Sequence, residues 1–166
     1  MEQLLILLHS YSATTGRLET VSGNSSGTFT YGYETNSSLI KTVTRPGLLE
    51  TQPALRVTNT WEPARDVLLT KANELVLGET VTDVSSITYT VNPIGQRTHA
   101  TRTGAATNGT EWGYDTLGQL ETADDTNPAA DRAYQYDSIG NRLSRSVGVP
   151  PTSTATYTPN ALNQYD

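Results

Sequence analysis

The chain has 166 residues, a formal net charge of −6 and no cysteine, so it has no disulfide, no thiolate nucleophile and no Cys-based zinc site. An acidic balance (pI ≈ 4.8) without any Lys/Arg cluster argues against a nucleic-acid or anionic-membrane surface. Only 35% of residues are hydrophobic, below the roughly 45–50% of an average domain; 28 threonines with 13 Gly and 8 Pro describe a turn-rich β protein with thin apolar faces.

In chain order, the first feature is Leu4-Leu5-Ile6-Leu7-Leu8. It is far shorter than the roughly 20 residues of a membrane span, and with Glu2 before it and His9 after it, it does not read as a secretory signal. Residues 1–10 read as a partial or non-repeat segment. From Tyr11 to Asp83 an aromatic, a turn and a leucine recur loosely: Tyr11 to Gly16 and Leu18, Tyr33 to Asn36 and Leu39, Trp61 to Asp66 and Leu68. The longer units imply loop insertions at 45–53 and 73–83. Ala64 to Leu77 is the best helical stretch, weakened by Thr70 and Asn73, and no convincing amphipathic helix is present.

From residue 84 onward the repeat is tight and runs to the last residue. It reads Tyr89-Thr-Val-Asn92-Pro-Ile94-Gly95-Gln96, then Trp112-Gly-Tyr114-Asp115-Thr-Leu117-Gly118-Gln119-Leu120. It continues as Tyr134-Gln-Tyr136-Asp137-Ser-Ile139-Gly140-Asn141-Arg142-Leu143 and Tyr157-Thr-Pro-Asn160-Ala-Leu162-Asn163-Gln164. Segments such as Ile87-Thr88-Tyr89-Thr90-Val91 alternate large and polar side chains, which is strand periodicity. The Asn/Asp caps a turn through its side chain, and the Gly or Asn after it accepts a positive φ. Each repeat is therefore predicted to be two short strands joined by a tight turn. A hairpin cannot bury its face alone, so successive hairpins are expected to pair into one continuous, twisted antiparallel sheet. The pair Tyr165-Asp166 would open a further repeat, so the chain reads as an internal piece of a longer repeat protein.

Tyr114-Asp115-Thr-Leu-Gly118-Gln-Leu120 and Tyr136-Asp137-Ser-Ile-Gly140-Asn-Arg142-Leu143 resemble the YD repeats of the Rhs (rearrangement hotspot) family. Val91-Asn92-Pro-Ile-Gly95-Gln-Arg97 matches with Val in place of Tyr, and the Asn160 unit lacks both Gly and Arg. The resemblance implies a spiralling β-hairpin sheet that forms part of a large hollow shell, enclosing a C-terminal toxin or effector in bacterial members. It implies secretion or display at the cell surface. Neither the Pro/Gly/Asp-rich segment at which such shells cleave themselves nor a toxin domain is found in these residues. By resemblance the chain is wall, with further repeats and an effector of a parent chain as its partners.

No constellation for catalysis is visible, and no cofactor is implied. His9 and His99 stand apart, with no ligand spacing around either. Asp124, Asp125, Asn127 and Asp131 place several oxygens close in sequence but depart from an EF-hand loop, and Asn127-Pro128 reads as a turn. Asp115 and Asp137 hold equivalent places in neighbouring turns, where capping accounts for both. Asn24-Ser-Ser26, Asn36-Ser-Ser38 and Asn108-Gly-Thr110 fit the N-glycosylation pattern, as expected by chance in a chain rich in Ser and Thr. The expected function is thus a non-catalytic structural repeat segment. The alternative is a carbohydrate- or protein-binding surface module that uses Tyr33, Trp61 and Trp112, although aromatics recurring at the repeat period are what packing demands.

Overall fold

The computed structural model describes residues 7–23, 27–105 and 107–160. Thirteen strands run through them: β1 (Leu7–Tyr11), β2 (Leu18–Gly23), β3 (Gly27–Tyr33), β4 (Ile40–Arg45), β5 (Ala54–Trp61), β6 (Leu68–Leu77), β7 (Thr80–Val91), β8 (Arg97–Thr103), β9 (Asn108–Tyr114), β10 (Leu120–Asp125), β11 (Arg132–Tyr136), β12 (Arg142–Val147) and β13 (Ser153–Thr156). Strand order in the sheet is chain order, which makes the protein an all-β hairpin repeat. Among the described residues there is no α-helix, only a 3-10 turn at Pro128–Ala130, and so no helix long and apolar enough to cross a membrane. The chain divides into two units, Met1–Thr88 and Tyr89–Asp166, and β7 runs across the division.

In the first unit, the pairing register sorts side chains onto two faces, because directly opposed residues point the same way. One face carries Val21 opposite Phe29, Tyr31 opposite Val43, Val43 opposite Val57 and Leu55 opposite Leu75. The other carries the row Thr20, Thr30, Thr44, Arg56 and Glu74. Much of the threonine excess serves this face, where β-branched side chains lie side by side on the pleat.

Residues 73–83 are not the loop insertion that their Asn, Glu and Asp suggest. They are the paired ends of a long hairpin, with Leu75 opposite Thr82, Val76 opposite Val81 and Leu77 opposite Thr80, closed at Gly78 (φ +59°). Between Asn73 and Glu74 the register slips, and Val84 bulges out of the ladder. The candidate helix at Ala64 to Leu77 is a turn followed by β6, because its apolar residues meet partners across two flanking strands instead of along one helical stripe. Of the insertion at 45–53, Arg45 ends β4 opposite Leu55 and 46–53 form a loop, tied by Gln52 N–H to the Leu49 carbonyl (2.9 Å) and by Leu48 N–H to Gln52 Oε1 (3.2 Å).

In the second unit, β8 to β13 pair in sequence with Thr110 opposite Ala100, Trp112 opposite Ala123 and Tyr134 opposite Arg145. Ala100 is the one fully buried hydrophobic side chain among the described residues. Stability therefore rests on half-buried faces and on hydrogen bonds between neighbouring hairpins.

Candidate functional site

The chemistry-bearing residues of the repeat meet at the turns. In the second unit the turns 92–96, 115–119 and 137–141 share one hydrogen-bond pattern. The N–H of Asn92, Asp115 and Asp137 donates to the carbonyl of Gln96, Gln119 and Asn141 at 2.9, 3.0 and 2.9 Å. Each Asx side chain then turns inward: Asn92 Oδ1 accepts from the N–H of Ile94 and Gln96, Asp115 Oδ1 from Leu117 and Gln119, and Asp137 Oδ1 from Ile139 and Asn141. Gly95, Gly118 and Gly140 sit at φ +88°, +80° and +93°, a region that other residues enter at a cost.

The looser units of the first half use a turn one residue longer, 12–17, 34–39 and 62–67, closed by Ser12, Glu34 and Glu62 N–H to the carbonyls of Arg17, Leu39 and Val67. There the positive φ falls on Gly16 (+67°), Asn36 (+56°) and Asp66 (+52°). The left-handed residue is the fifth of its turn at Gly16 and Asp66 and the third at Asn36, whereas the Asn or Asp of the tighter turns caps from the first position.

The structure also corrects the phase of the repeat. The residues that close each outgoing strand are Tyr11, Tyr33, Trp61, Val91, Tyr114 and Tyr136. Tyr33 and Trp61 are therefore equivalents of Tyr114 and Tyr136, not of Trp112 and Tyr134. Both positions of the pair lie on one face of the strand, so alternation alone does not choose between them.

At four of these positions the closing residue ties its hairpin to the one before it. Tyr33 Oη donates to the Leu18 carbonyl (2.8 Å), Trp61 Nε1 to Ile40 (3.0 Å), Tyr114 Oη to Arg97 (2.8 Å) and Tyr136 Oη to Leu120 (2.9 Å). Every acceptor is the first residue of the preceding return strand. The Gln96 amide adds a second tie, its Nε2 donating to the Gly118 carbonyl (3.0 Å).

The arginines of the motif flank aromatic rings. Arg97 lies 4.1 Å from the Tyr89 ring centroid, and Arg142 lies 5.8 Å and 5.1 Å from those of Tyr134 and Tyr157, within cation–π range. Leu120 opens β10 and Leu143 is the second residue of β12, and the Leu143 carbonyl accepts from Tyr157 N–H (2.8 Å). Asn160 follows β13, and the turn it would cap lies outside the described residues, as do Leu4 to Ile6, Asn24 to Ser26 and Tyr165-Asp166. Trp112 sits half-buried on β9, and Tyr33 and Trp61 are engaged in the ties above.

The acidic residues are also occupied locally. Asp125 Oδ1 accepts from Asn127 N–H (3.0 Å), Asp125 Oδ2 from Thr110 Oγ1 (3.2 Å), and Asp131 Oδ1 from Asp125 N–H (2.7 Å). These oxygens cap the connection between β10 and β11, and the described residues contain no group of acidic and histidine side chains arranged for a metal ion. His99 Nδ1 stands 3.7 Å from Glu111, which is three-quarters exposed, and His9 lies exposed on the edge strand β1.

The Asp137 carboxyl is held below the ordinary carboxylate range chiefly by the Asn141 side chain, which, with the turn N–H groups, outweighs the opposing effect of desolvation. Its contribution to stability is complete above the unfolded value near pH 4 and is lost as pH falls through the depressed folded value. Asp137→Ala should lower the melting temperature at neutral pH, whereas Asp137→Asn should lose only the smaller, charge-linked part, because an amide caps the equivalent turn at Asn92. Thermal melts of the two variants check this, and equal losses would contradict the capping account.

No protein-family model matches this sequence, and no curated protein matches it. Among solved structures, the chain is similar to one in the crystal structure of TcdB2-TccC3-Cdc42, at 16% identity and a TM-score of 0.47. The match covers 97% of this chain and 12% of that one.

Proposed function

We propose that the chain is a non-catalytic wall segment of an Rhs/YD-type shell, built from paired hairpins and serving to enclose an effector carried by the same parent chain. The observation that carries this reading is where the motif residues are engaged. The capping Asx, the closing aromatic and the motif amide bond to their own turn or to the adjacent hairpin. A residue type that recurs in order to join one repeat to the next is what a wall requires. Secretion or surface display, and the absence of an enzymatic role for this segment, belong to the same reading.

The test is to read the source gene beyond both ends of these 166 codons. The wall reading expects further repeats in frame, then a Pro/Gly/Asp-rich segment and a C-terminal domain of unrelated sequence. A gene in which these repeats are flanked by other domain types, or by none, would overturn it.

A further inference from the structure

In the first unit, the turns 34–39 and 62–67 leave a cleft between them beside an indole. It encloses about 280 Å³ and is walled by Leu39, Trp61, Glu34, Glu62 and Asp66. That is just under the roughly 300–1,000 Å³ of a pocket for a drug-sized ligand, a size that suits one side chain.

The same place one hairpin earlier holds an arginine of this chain. Arg17, the last residue of the turn 12–17, lies 5.4 Å from the ring centroid of Tyr33, which closes β3. Tyr33 and Trp61 are equivalents, each bonded to the carbonyl that directly follows the preceding turn, at Leu18 and Ile40. The position of Arg17 is therefore taken by Leu39 at Trp61, and among the described residues no cation flanks the indole. The acidic side changes in the opposite sense. Ser12 of the earlier step is replaced by Glu34, Ser38 is replaced by Asp66, and Glu34 of the earlier step becomes Glu62. One guanidinium is lost and two carboxylates are added. Glu62 accepts from Arg65 Nη2 (2.6 Å) and Glu34 meets Lys41 at 3.5 Å, but neither cation lines the cleft. The Asp66 carboxylate has no hydrogen-bond or ion-pair partner among the described residues.

We propose that this cleft binds the guanidinium of an arginine side chain from another protein, stacked on Trp61 and hydrogen-bonded to Asp66 and Glu34. Indole is the aromatic ring that attracts a cation most strongly. A guanidinium is planar and weakly hydrated, so it can lie on the ring while its N–H groups donate sideways to carboxylates. The Trp61 Nε1–H is bound to the Ile40 carbonyl (3.0 Å), which fixes the ring at the wall of the cleft. A net charge of −6 favours the approach of a basic partner.

The test is a titration of the whole chain with Nα-acetylarginine amide, in a Trp112→Phe background so that Trp61 alone reports. The Trp61 emission and its indole N–H resonance should saturate in the millimolar range. Asp66→Asn should weaken binding about tenfold or more, the loss of one hydrogen bond to a charged group. Asn36 already adopts a left-handed backbone (φ +56°) like that of Asp66 (φ +52°), so this variant keeps its turn. Leu39→Arg, which copies Arg17 beside Tyr33, should fill the cleft from within and abolish binding. Nα-acetylcitrulline amide, of the same shape without the charge, should not bind, and free arginine, whose α-carboxylate meets the acidic wall, should bind more weakly. Citrulline binding as well as arginine, Leu39→Arg or Asp66→Asn binding like the wild type, or neither signal moving would each overturn the proposal. Tighter binding of free arginine would make the ligand the amino acid and overturn the protein source. If Leu39→Arg fails to fold, Asp66→Asn and the citrulline probe decide alone.

Discussion

Gly113→Ala should lower the stability of the second unit by about 1–3 kcal/mol, the usual range for forcing extra volume into a packed site. Gly113 lies opposite Thr122 in the β9–β10 ladder, and a Cβ added to it would stand 2.6 Å from Thr122 Oγ1. Thr122 is β-branched and stiff at χ1, so it yields poorly. The hydroxyl fills the space that a side chain on residue 113 would occupy, and Gly32 opposite Thr42 repeats the arrangement in the first unit. Thr122→Ala in the same chain should therefore recover most of the loss, which makes the pair a double-mutant cycle with a large coupling. The two tryptophans, Trp61 and Trp112, fall one in each unit. Denaturant unfolding followed by Trp112 fluorescence in a Trp61→Phe background thus reports on the affected half. A double mutant no more stable than Gly113→Ala would refute the steric account.

Glu74→Ala should destabilise the first unit by about 1–3 kcal/mol, the cost of stripping partners from a mostly buried hydrogen-bond cluster. Glu74 Oε2 accepts from Arg56 Nε and from Thr58 Oγ1, both at 2.6 Å, and the glutamate side chain is only 11% exposed. The loss is more than one ion pair, because Arg56, itself 30% exposed, is left with an uncompensated charge. Burial pushes the Glu74 carboxyl up, but the hydrogen bonds from Arg56 and Thr58 together with the Arg56 charge outweigh it and hold the pKa below its ordinary value. Asp125 is likewise lowered, first by the Asn127 N–H. Groups depressed in the folded state stabilise above the unfolded pKa and lose that contribution as pH falls through the folded one. Acid titration of the wild type should therefore show stability falling below about pH 4, with a shallower fall in Glu74→Gln. An identical acid profile for the variant would remove Glu74 from the account.

The parts of this fold that depend on local chemistry are legible in the sequence. Asp115, Asp137 and Asn92 announce their turns because the capping oxygen, the N–H groups it binds and the glycine all lie within five residues. The strands between follow from alternation. What is not legible depends on partners distant in sequence. The phase of the repeat escapes a reading of the spacing because Trp112 and Tyr114 lie on the same face, and only the acceptor at Arg97 shows which of them closes the strand. The hairpin at 73–83 is hidden by its polar residues: Glu74 reads as loop until Arg56 is placed opposite it. The fit of Thr122 into the space at Gly113 leaves no trace beyond a glycine in a strand, a position that signals close approach without saying to what. Gln96 is recognisable as a recurring amide, but its bond to Gly118 becomes visible only when successive turns are seen side by side.

The ring ties between hairpins all point one way. Tyr33, Trp61, Tyr114 and Tyr136 each reach back to a carbonyl made earlier in the chain. On a ribosome, which delivers about 5–20 residues per second, the acceptor strand emerges before its donor, and a hairpin closes in about 1–10 μs. Each new hairpin thus meets a finished docking edge, and assembly within each unit advances in the direction of synthesis without waiting for distant sequence.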